Sequence, residues 1–158
     1  MAVLDRTDLK ILSVLLRNSR TPYSQMARML NLGESTIYTR VKRLMDEGVL
    51  LGFTVDIDLS KLGLVTQAFV EIKPDFRRVN ELVRQLEKLP WVVEVYKVSG
   101  DYPILARVVA RSNEELSAEI DAIYGLGYVR ELSVKYVIKA VVRRSEGKII
   151  SRLLESVG

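Results

Sequence analysis

The stretch LNLGESTIYTRVKRLMDEG, residues 30–48, puts hydroxyl side chains first and basic ones after: Ser35, Thr36 and Thr39, then Arg40, Lys42 and Arg43. Short hydroxyl groups let a backbone come close to a partner, and they donate or accept at base edges and phosphates. Guanidinium groups pair two-pronged with guanine edges or with phosphates. The chemistry that suits this order is nucleic-acid recognition. Catalysis is short of parts, because the chain has no Cys and no His. That excludes disulfides, Cys/His zinc sites, Cys nucleophiles and His bases, and it removes the usual switch near neutral pH. No motif calls for a cofactor, no paired catalytic constellation is present, and no enzyme is expected. The bland alternative is an amphipathic helix whose polar face is only solvated.

Charge sharpens the choice locally. Over all 158 residues the net charge is +4, which permits nucleic-acid binding without demonstrating it. Between Arg20 and Met45, however, Arg20, Arg28, Arg40, Lys42 and Arg43 are opposed only by Glu34. Clustering of this kind on one supersecondary unit is what a DNA-binding module leaves.

The elements that must position these residues can be read outward from them. Ile37, Val41 and Leu44 share one face at helical spacing, with Ser35, Thr39, Lys42 and Arg43 roughly opposite. Thr36 and Arg40 lie on one shoulder and Tyr38 on the other. This helix is expected from Glu34 to Glu47, with Gly33 as N-cap and Gly48 ending it. Before it, Asn31-Leu32-Gly33 makes a tight turn, and Ser24 is expected to cap a short helix to Leu30. An earlier helix is opened by Asp5, with Asp8 adding first-turn negative charge, and carries Ile11, Leu12, Leu15 and Leu16. After the third helix, VLLGFTVDID suggests a small hairpin or extended wing strand. In a helix-turn-helix the second helix of the motif enters the major groove by its N-terminal part. Glu34, Ser35, Thr36, Tyr38, Thr39, Arg40, Lys42 and Arg43 then form the candidate reading edge, and Ser24 and Gln25 meet the DNA backbone.

The second half changes period. Residues 66–73 alternate as a strand, and Val79, Leu82, Val83 and Leu86 step as a helix. Val92–Val98 and Ile104–Ala110 are strands. Ser112 and Glu115 form a capping box opening a helix to Tyr124, and a last strand is expected from Val129 to Val142. The order βαββαβ is the ferredoxin-like split. Its two helices cover one sheet face, while Phe69 and Tyr96 point to the other, so dimerisation or more is expected. The tail carries Ile149, Ile150, Leu153, Leu154 and Val157 on one stripe, a helix to pack on the chain or on a neighbour.

The expected class is therefore α+β, an N-terminal winged helix-turn-helix with a C-terminal ferredoxin-like βαββαβ domain. The boundaries are 1–50 for DNA binding, 51–63 for a linker strand, 64–142 for the ferredoxin-like domain and 143–158 for a helical extension. No apolar run is long enough to span a bilayer, and MAVLDRTDLK lacks the apolar core of a signal peptide. The expected location is the cytoplasm, at the nucleoid.

Three stretches carry a family resemblance: LDRTDLKIL, then SQMARMLNLGESTIYTRVKRLMDEGVLLGFTVDID, then VSGDY before the third strand. In order and spacing, the chain to about Val142 resembles the Lrp/AsnC (feast/famine) transcription regulators of bacteria and archaea, and an archaeal source is expected. The resemblance implies a DNA-binding winged helix-turn-helix and a ferredoxin-like effector and assembly domain, the RAM domain. It also implies homodimers associating to octamers, promoter DNA as partner and an amino acid as effector.

Two departures stand out. The family usually starts its recognition helix with Ser where this chain has Gly33, followed by Glu34. An acid there suits the helix dipole but repels phosphate, or favours a cytosine amino group. Amino-acid-binding members commonly read Gly-Asp-Tyr-Asp, where this chain has Gly100-Asp101-Tyr102-Pro103. Pro103 offers neither charge nor N–H, so an effector would rest on backbone groups and Asp101, and the plain reading of the loop is a turn. Asp56 and Asp58 make a weak metal pair, more naturally a solvated linker, and Trp91 and Tyr96 are packing groups. The competing functions are an architectural DNA-organising protein with little sequence preference, and a small-molecule carrier on the ferredoxin-like half.

Overall fold

The computed structural model describes residues 4–141 and 146–156. The chain forms two compact units, one from the residues up to Val55 with those from Val141 on, the other from Asp56 to Ala140.

The first unit is helical. Helix α1 (Arg6–Arg17) opens with a full capping box. The Asp5 carboxylate accepts from the Asp8 N–H at 2.9 Å, and the Asp8 carboxylate accepts from the Asp5 N–H at 3.0 Å. Helix α2 (Tyr23–Leu30) starts one residue earlier than expected, with Pro22 at the N-cap and no side-chain cap, so Ser24 is not the capping residue. Asn31 ends α2 in the left-handed conformation (φ 54°, ψ 50°), and its N–H donates back to the carbonyls of Ala27 and Arg28. Asn tolerates that conformation better than other side-chain-bearing residues. Helix α3 spans Glu34–Asp46. Ile11, Leu12, Leu15, Met26, Ile37, Val41 and Leu44 form the core of this unit.

Two expectations change here. The apolar alternation after α3 forms no strand: residues 51–58 make no ladder, and Leu51 is 91% exposed. A strand needs a hydrogen-bonding neighbour, and among the described residues this segment forms no ladder with one. The tail forms helix α6 (Glu146–Ser156), which lies against α1 with Ile150 on the core of this unit. Val157, expected on the tail's apolar stripe, lies outside the described residues, as does Val142.

The second unit is a four-stranded antiparallel sheet in the order β2-β3-β1-β4 with two helices, α4 (Val79–Leu86) and α5 (Asn113–Tyr124). The strands are β1 (Thr66–Pro74), β2 (Val92–Lys97), β3 (Ile104–Ala110) and β4 (Val129–Tyr136). Alternation along β1 buries Ala68, Val70 and Ile72 with Leu82, Leu86, Leu116 and Ile123 of the helices. Strand β4 stops at Tyr136, short of the expected Val142. Its neighbour β1 begins at Thr66, the last ladder pair is Ala68 with Tyr136, and Ile138 beyond it is 99% exposed.

The face of the sheet away from the helices is less apolar than expected. Phe69 and Leu105 lie there among ion pairs: Arg107 with Glu94 at 2.8 Å, and Lys135 with Glu71 at 2.5 Å. Val93, two residues before Val95 and so expected on the same face, falls in a bulge between Val92 and Glu94 and is exposed. Ser112 caps α5 by accepting from the Glu115 N–H. Glu115 does not return the bond to Ser112 and takes the Arg111 N–H instead, so the box is only half formed.

On the buried side of α5, Glu119 is 8% exposed, and its Oε2 has no hydrogen-bond partner. Burial, with the nearby charge of Glu115 adding to it, pushes its carboxyl up to about 7. The neutral acid is thus favoured in the folded state. The stability this contributes is complete below about 4.5, the carboxyl's value in the unfolded chain, and is lost as pH rises through about 7. Glu119→Gln should therefore raise stability by roughly 1–3 kcal/mol at pH 8 and change it little at pH 4.5. Urea denaturation at the two pH values checks this; equal effects at both would contradict it.

Candidate nucleic-acid interface

The geometry of the first unit is set by α3. Ile37, Val41 and Leu44 are buried against α1 and α2, which turns the opposite side of α3 outward. Glu34, Ser35, Thr36, Tyr38, Thr39 and Lys42 are all exposed on it. Gly33 precedes the helix in extended conformation without a side-chain cap, and its carbonyl accepts from the N–H groups of Thr36 and Ile37. The N–H groups of Glu34 and Ser35 come before this first turn of bonds, as at any helix start. A Cβ on Gly33 would meet only the hydroxyls of Thr36 and Ser35, at 3.6 and 3.8 Å, so the backbone does not demand glycine here.

The hydroxyl edge is partly committed. Thr39 Oγ1 donates to the Ser35 carbonyl at 2.9 Å, leaving its lone pairs for a partner. Tyr38 is held edge-on to Tyr23, with ring centroids 6.3 Å apart. At the start of α2, Gln25 is exposed and Ser24 half-buried.

The basic residues are placed differently from the expectation. Arg40 Nη1 lies 2.7 Å from Asp5 Oδ2 and 2.9 Å from Asp8 Oδ1. Arg43 Nη2 lies 2.5 Å from Asp8 Oδ2. Asp8 has no exposed surface, so its charge must be met inside the protein. Arg40 and Arg43, candidate contacts to bases or phosphates from the sequence, both serve a buried carboxylate here. Lys42 pairs with Asp46 at 2.9 Å, one helical turn on. The acids that answer these bases, Asp5, Asp8 and Asp46, all lie outside the window from Arg20 to Met45, which is why a local charge count misses them. Donating to Asp5, and then to Asp8, holds the Arg40 guanidinium even more firmly protonated than usual. Burial alone would raise the Asp5 carboxyl, but the Arg40 hydrogen bond and the Asp8 N–H outweigh it and hold it below its ordinary value.

Asp8 and Asp5 are the residues that sequence reasoning passed over, having read Asp8 only as a dipole charge. The signal was present. Asp8, Ile11, Leu12 and Leu15 share one helical stripe, so Asp8 is an acid on the buried face of α1. Asp5 and Asp8 also repeat the three-residue spacing of Arg40 and Arg43.

In the second unit, Gly100, Asp101 and Tyr102 are brought together in the β2–β3 turn. It is closed by the Val98 N–H donating to the Pro103 carbonyl at 2.9 Å, and Gly100 takes φ 110°. The Tyr102 hydroxyl donates to Glu131 at 2.6 Å, and Lys73 Nζ sits 6.0 Å from the centre of its ring. Asp58 accepts from the Ser60 N–H and hydroxyl, capping the turn Leu59–Leu62. Among the described residues, no helix is long and apolar enough to cross a membrane.

Comparison with known proteins assigns both units. Residues 4–50 match a family model described as winged helix-turn-helix DNA-binding, and residues 67–146 match the Lrp/AsnC ligand binding domain. The chain belongs to the Lrp/AsnC family. An uncharacterised HTH-type transcriptional regulator of Pyrococcus horikoshii is 33% identical over 138 residues, 87% of this chain and 93% of that protein. The HTH-type transcriptional regulator LrpA of the same organism is 35% identical over 117 residues, 73% of this chain and 82% of LrpA. Among solved structures, AsnC of E. coli aligns with a TM-score of 0.86 at 26% identity, covering 91% of this chain and 98% of that one. A Neisseria meningitidis transcriptional regulator, solved as a complex with L-Met, aligns with a TM-score of 0.85 at 22% identity over 90% of this chain and 95% of its own. At that identity the likeness concerns the fold alone. This Lrp/AsnC protein thus joins a DNA-binding helix-turn-helix to the ferredoxin-like domain of a family of transcription regulators.

The packing of α3 makes a direct prediction. Ile37→Ala should destabilise the protein by about 2–5 kcal/mol, as for other fully buried aliphatic truncations. Thr36→Ala, one residue away on the exposed side, should stay within about 0.5 kcal/mol. Chemical denaturation of the two variants measures both, and similar losses would mean the helix is turned differently.

Proposed function

We propose that this Lrp/AsnC protein is a sequence-specific double-stranded DNA-binding transcriptional regulator that acts at the nucleoid in the cytoplasm. The observation carrying the proposal is the exposed edge Glu34, Ser35, Thr36, Tyr38 and Thr39 at the N-terminal part of α3, behind which Ile37, Val41 and Leu44 anchor the helix. Groups on that edge are short and mostly uncharged, which suits hydrogen bonding to base edges in the major groove. Lys42, Gln25 and Ser24 flank it and suit the phosphate backbone.

The working form is a homodimer, associating further to an octamer. Support comes from the sheet face opposite α4 and α5, where Tyr96 is exposed and Phe69 and Leu105 are half-buried. Two copies related by a two-fold axis would set two α3 helices in successive major grooves, about 34–36 Å apart, on a roughly palindromic operator. For the effector, the proposal is an amino acid or related small molecule near Gly100, Asp101 and Tyr102. The solved Neisseria relative in complex with L-Met supports that class of ligand. Here Pro103 brings no carboxylate, so the ligand's amino group would fall to Asp101 or Glu131.

Selection of bound sequences from a random duplex pool, with and without mixed amino acids, tests the proposal. A recovered palindromic consensus is the expected result. Equal retention of all sequences would favour a DNA-organising role and overturn specificity, and an unchanged selection with amino acids would overturn the effector. Glu34 supplies a further check. Glu34→Gln should raise affinity for the selected duplex about two- to fivefold by relieving phosphate repulsion, within the ~1 kcal/mol expected of an exposed charge. A fall confined to sites with cytosine at one position would instead make Glu34 a base-reading residue.

A further inference from the structure

We infer that Asp8 is a positioning residue that withholds Arg40 and Arg43 from DNA, so that discrimination by α3 falls to its hydroxyl edge and Glu34. The inference rests on the DNA-binding reading above. Its physical basis is that every oxygen of a fully buried carboxylate is already used. Asp8 Oδ1 accepts from Arg40, while Oδ2 accepts from Arg43 and from the Asp5 N–H. Arg40 is held a second time by Asp5. Two carboxylates therefore balance two guanidiniums within the cluster.

For Arg40 or Arg43 to reach a phosphate, it would have to leave Asp8 charged, buried and short of a partner. A carboxylate in that state is strongly unfavourable. The pair is therefore held against the protein at the moment the helix meets DNA. The consequence concerns selectivity. Sequence-independent affinity comes from bases that neutralise phosphates and release counterions. An α3 helix with two of its three basic side chains held by α1 gives up part of that affinity on every duplex alike. Contacts from Ser35, Thr36 and Thr39 to base edges are untouched, so the ratio of operator to random binding rises. The same bonds pin the start of α1 to the middle of α3, so the clamp also fixes how that helix presents its edge.

The experiment is fluorescence anisotropy of the full-length chain on a selected duplex and on a random one, across a range of salt. The variants are Asp8→Asn alone and the triple variant D8N/R40Q/R43Q, which removes the buried carboxylate and both guanidiniums and leaves Asp5 at the helix start. Circular dichroism reports their folding. In D8N the buried carboxylate charge is gone, Arg43 is released, and Arg40 keeps only its bond to Asp5. The slope of log K against log salt should then steepen by about 0.9 for each arginine that reaches a phosphate. Affinity for random DNA should rise several-fold and the operator-to-random ratio should fall. The triple variant should keep the wild-type slope, because it loses no phosphate contact. It decides alone if D8N does not fold. A triple-variant slope shallower by about 1–2 would overturn the inference, since the arginines would then be touching DNA in the wild type. So would a D8N variant that weakens on both duplexes equally with unchanged slope, the mark of a purely structural role. Wild-type protein that binds no duplex in a salt-dependent way would instead overturn the DNA-binding reading itself.

Discussion

A carboxylate without exposed surface governs the helical unit. Asp8 stands in the first turn of α1 on the stripe that also buries Ile11, Leu12 and Leu15, so it cannot turn to water without turning the whole helix. An isolated buried charge is very unfavourable, and the fold answers it with the Asp5 N–H and two guanidiniums of α3. This requirement links residues more than thirty positions apart. The apolar contacts of Ile37, Val41 and Leu44 would allow α3 to slide or rotate somewhat, because dispersion and burial are not directional. Hydrogen bonds to a fixed carboxylate are directional and choose one register. The exposed side of α3 is thus defined as much by what Asp8 holds as by what the core buries.

The ferredoxin-like unit obeys a different constraint, the pairing of backbone groups in four antiparallel strands. Register along β1 and β3 puts Ala68, Val70, Ile72, Ala106 and Val108 under the helices, and the same alternation delivers Phe69, Glu71, Leu105 and Arg107 to the other face. Where pairing fails, the strand fails: the β1–β4 ladder ends at Ala68 with Tyr136, and residues 51–58 stay irregular despite an alternating apolar pattern. The bulge between Val92 and Glu94 shows the ladder correcting itself by one residue, and it carries Val93 out to solvent. Glu119, an acid among apolar side chains, is tolerated because the group can take up a proton rather than carry charge.

Much of this was legible in the residues. Asp5 as N-cap, Asn31 as the left-handed helix end, the face Ile37–Val41–Leu44 and the βαββαβ order follow from local rules of capping, turn chemistry and periodicity. Each depends on neighbours within a few positions. The hydroxyl residues Ser35, Thr36 and Thr39 are exposed where the helical wheel put them. What the residues do not show has one cause. The helical wheel that sets Arg40 and Arg43 beside the hydroxyl edge is blind to a carboxylate arriving from another helix. The alternation that suggests a wing strand and a long last strand is blind to whether a neighbour exists to pair with.

The sequence by itself determined where the helices and the four paired strands lie to within their ends, which of their faces are apolar, and that no Cys or His chemistry is available. These are properties of side-chain type and of spacing within one element. The tertiary structure alone decided which charges meet, where ladders stop, and that the tail helix lies on α1 of the DNA-binding unit. Those outcomes depend on distances between segments far apart in the chain, and the energy of an ion pair or a ladder bond exists only once folding has brought both partners within a few ångströms.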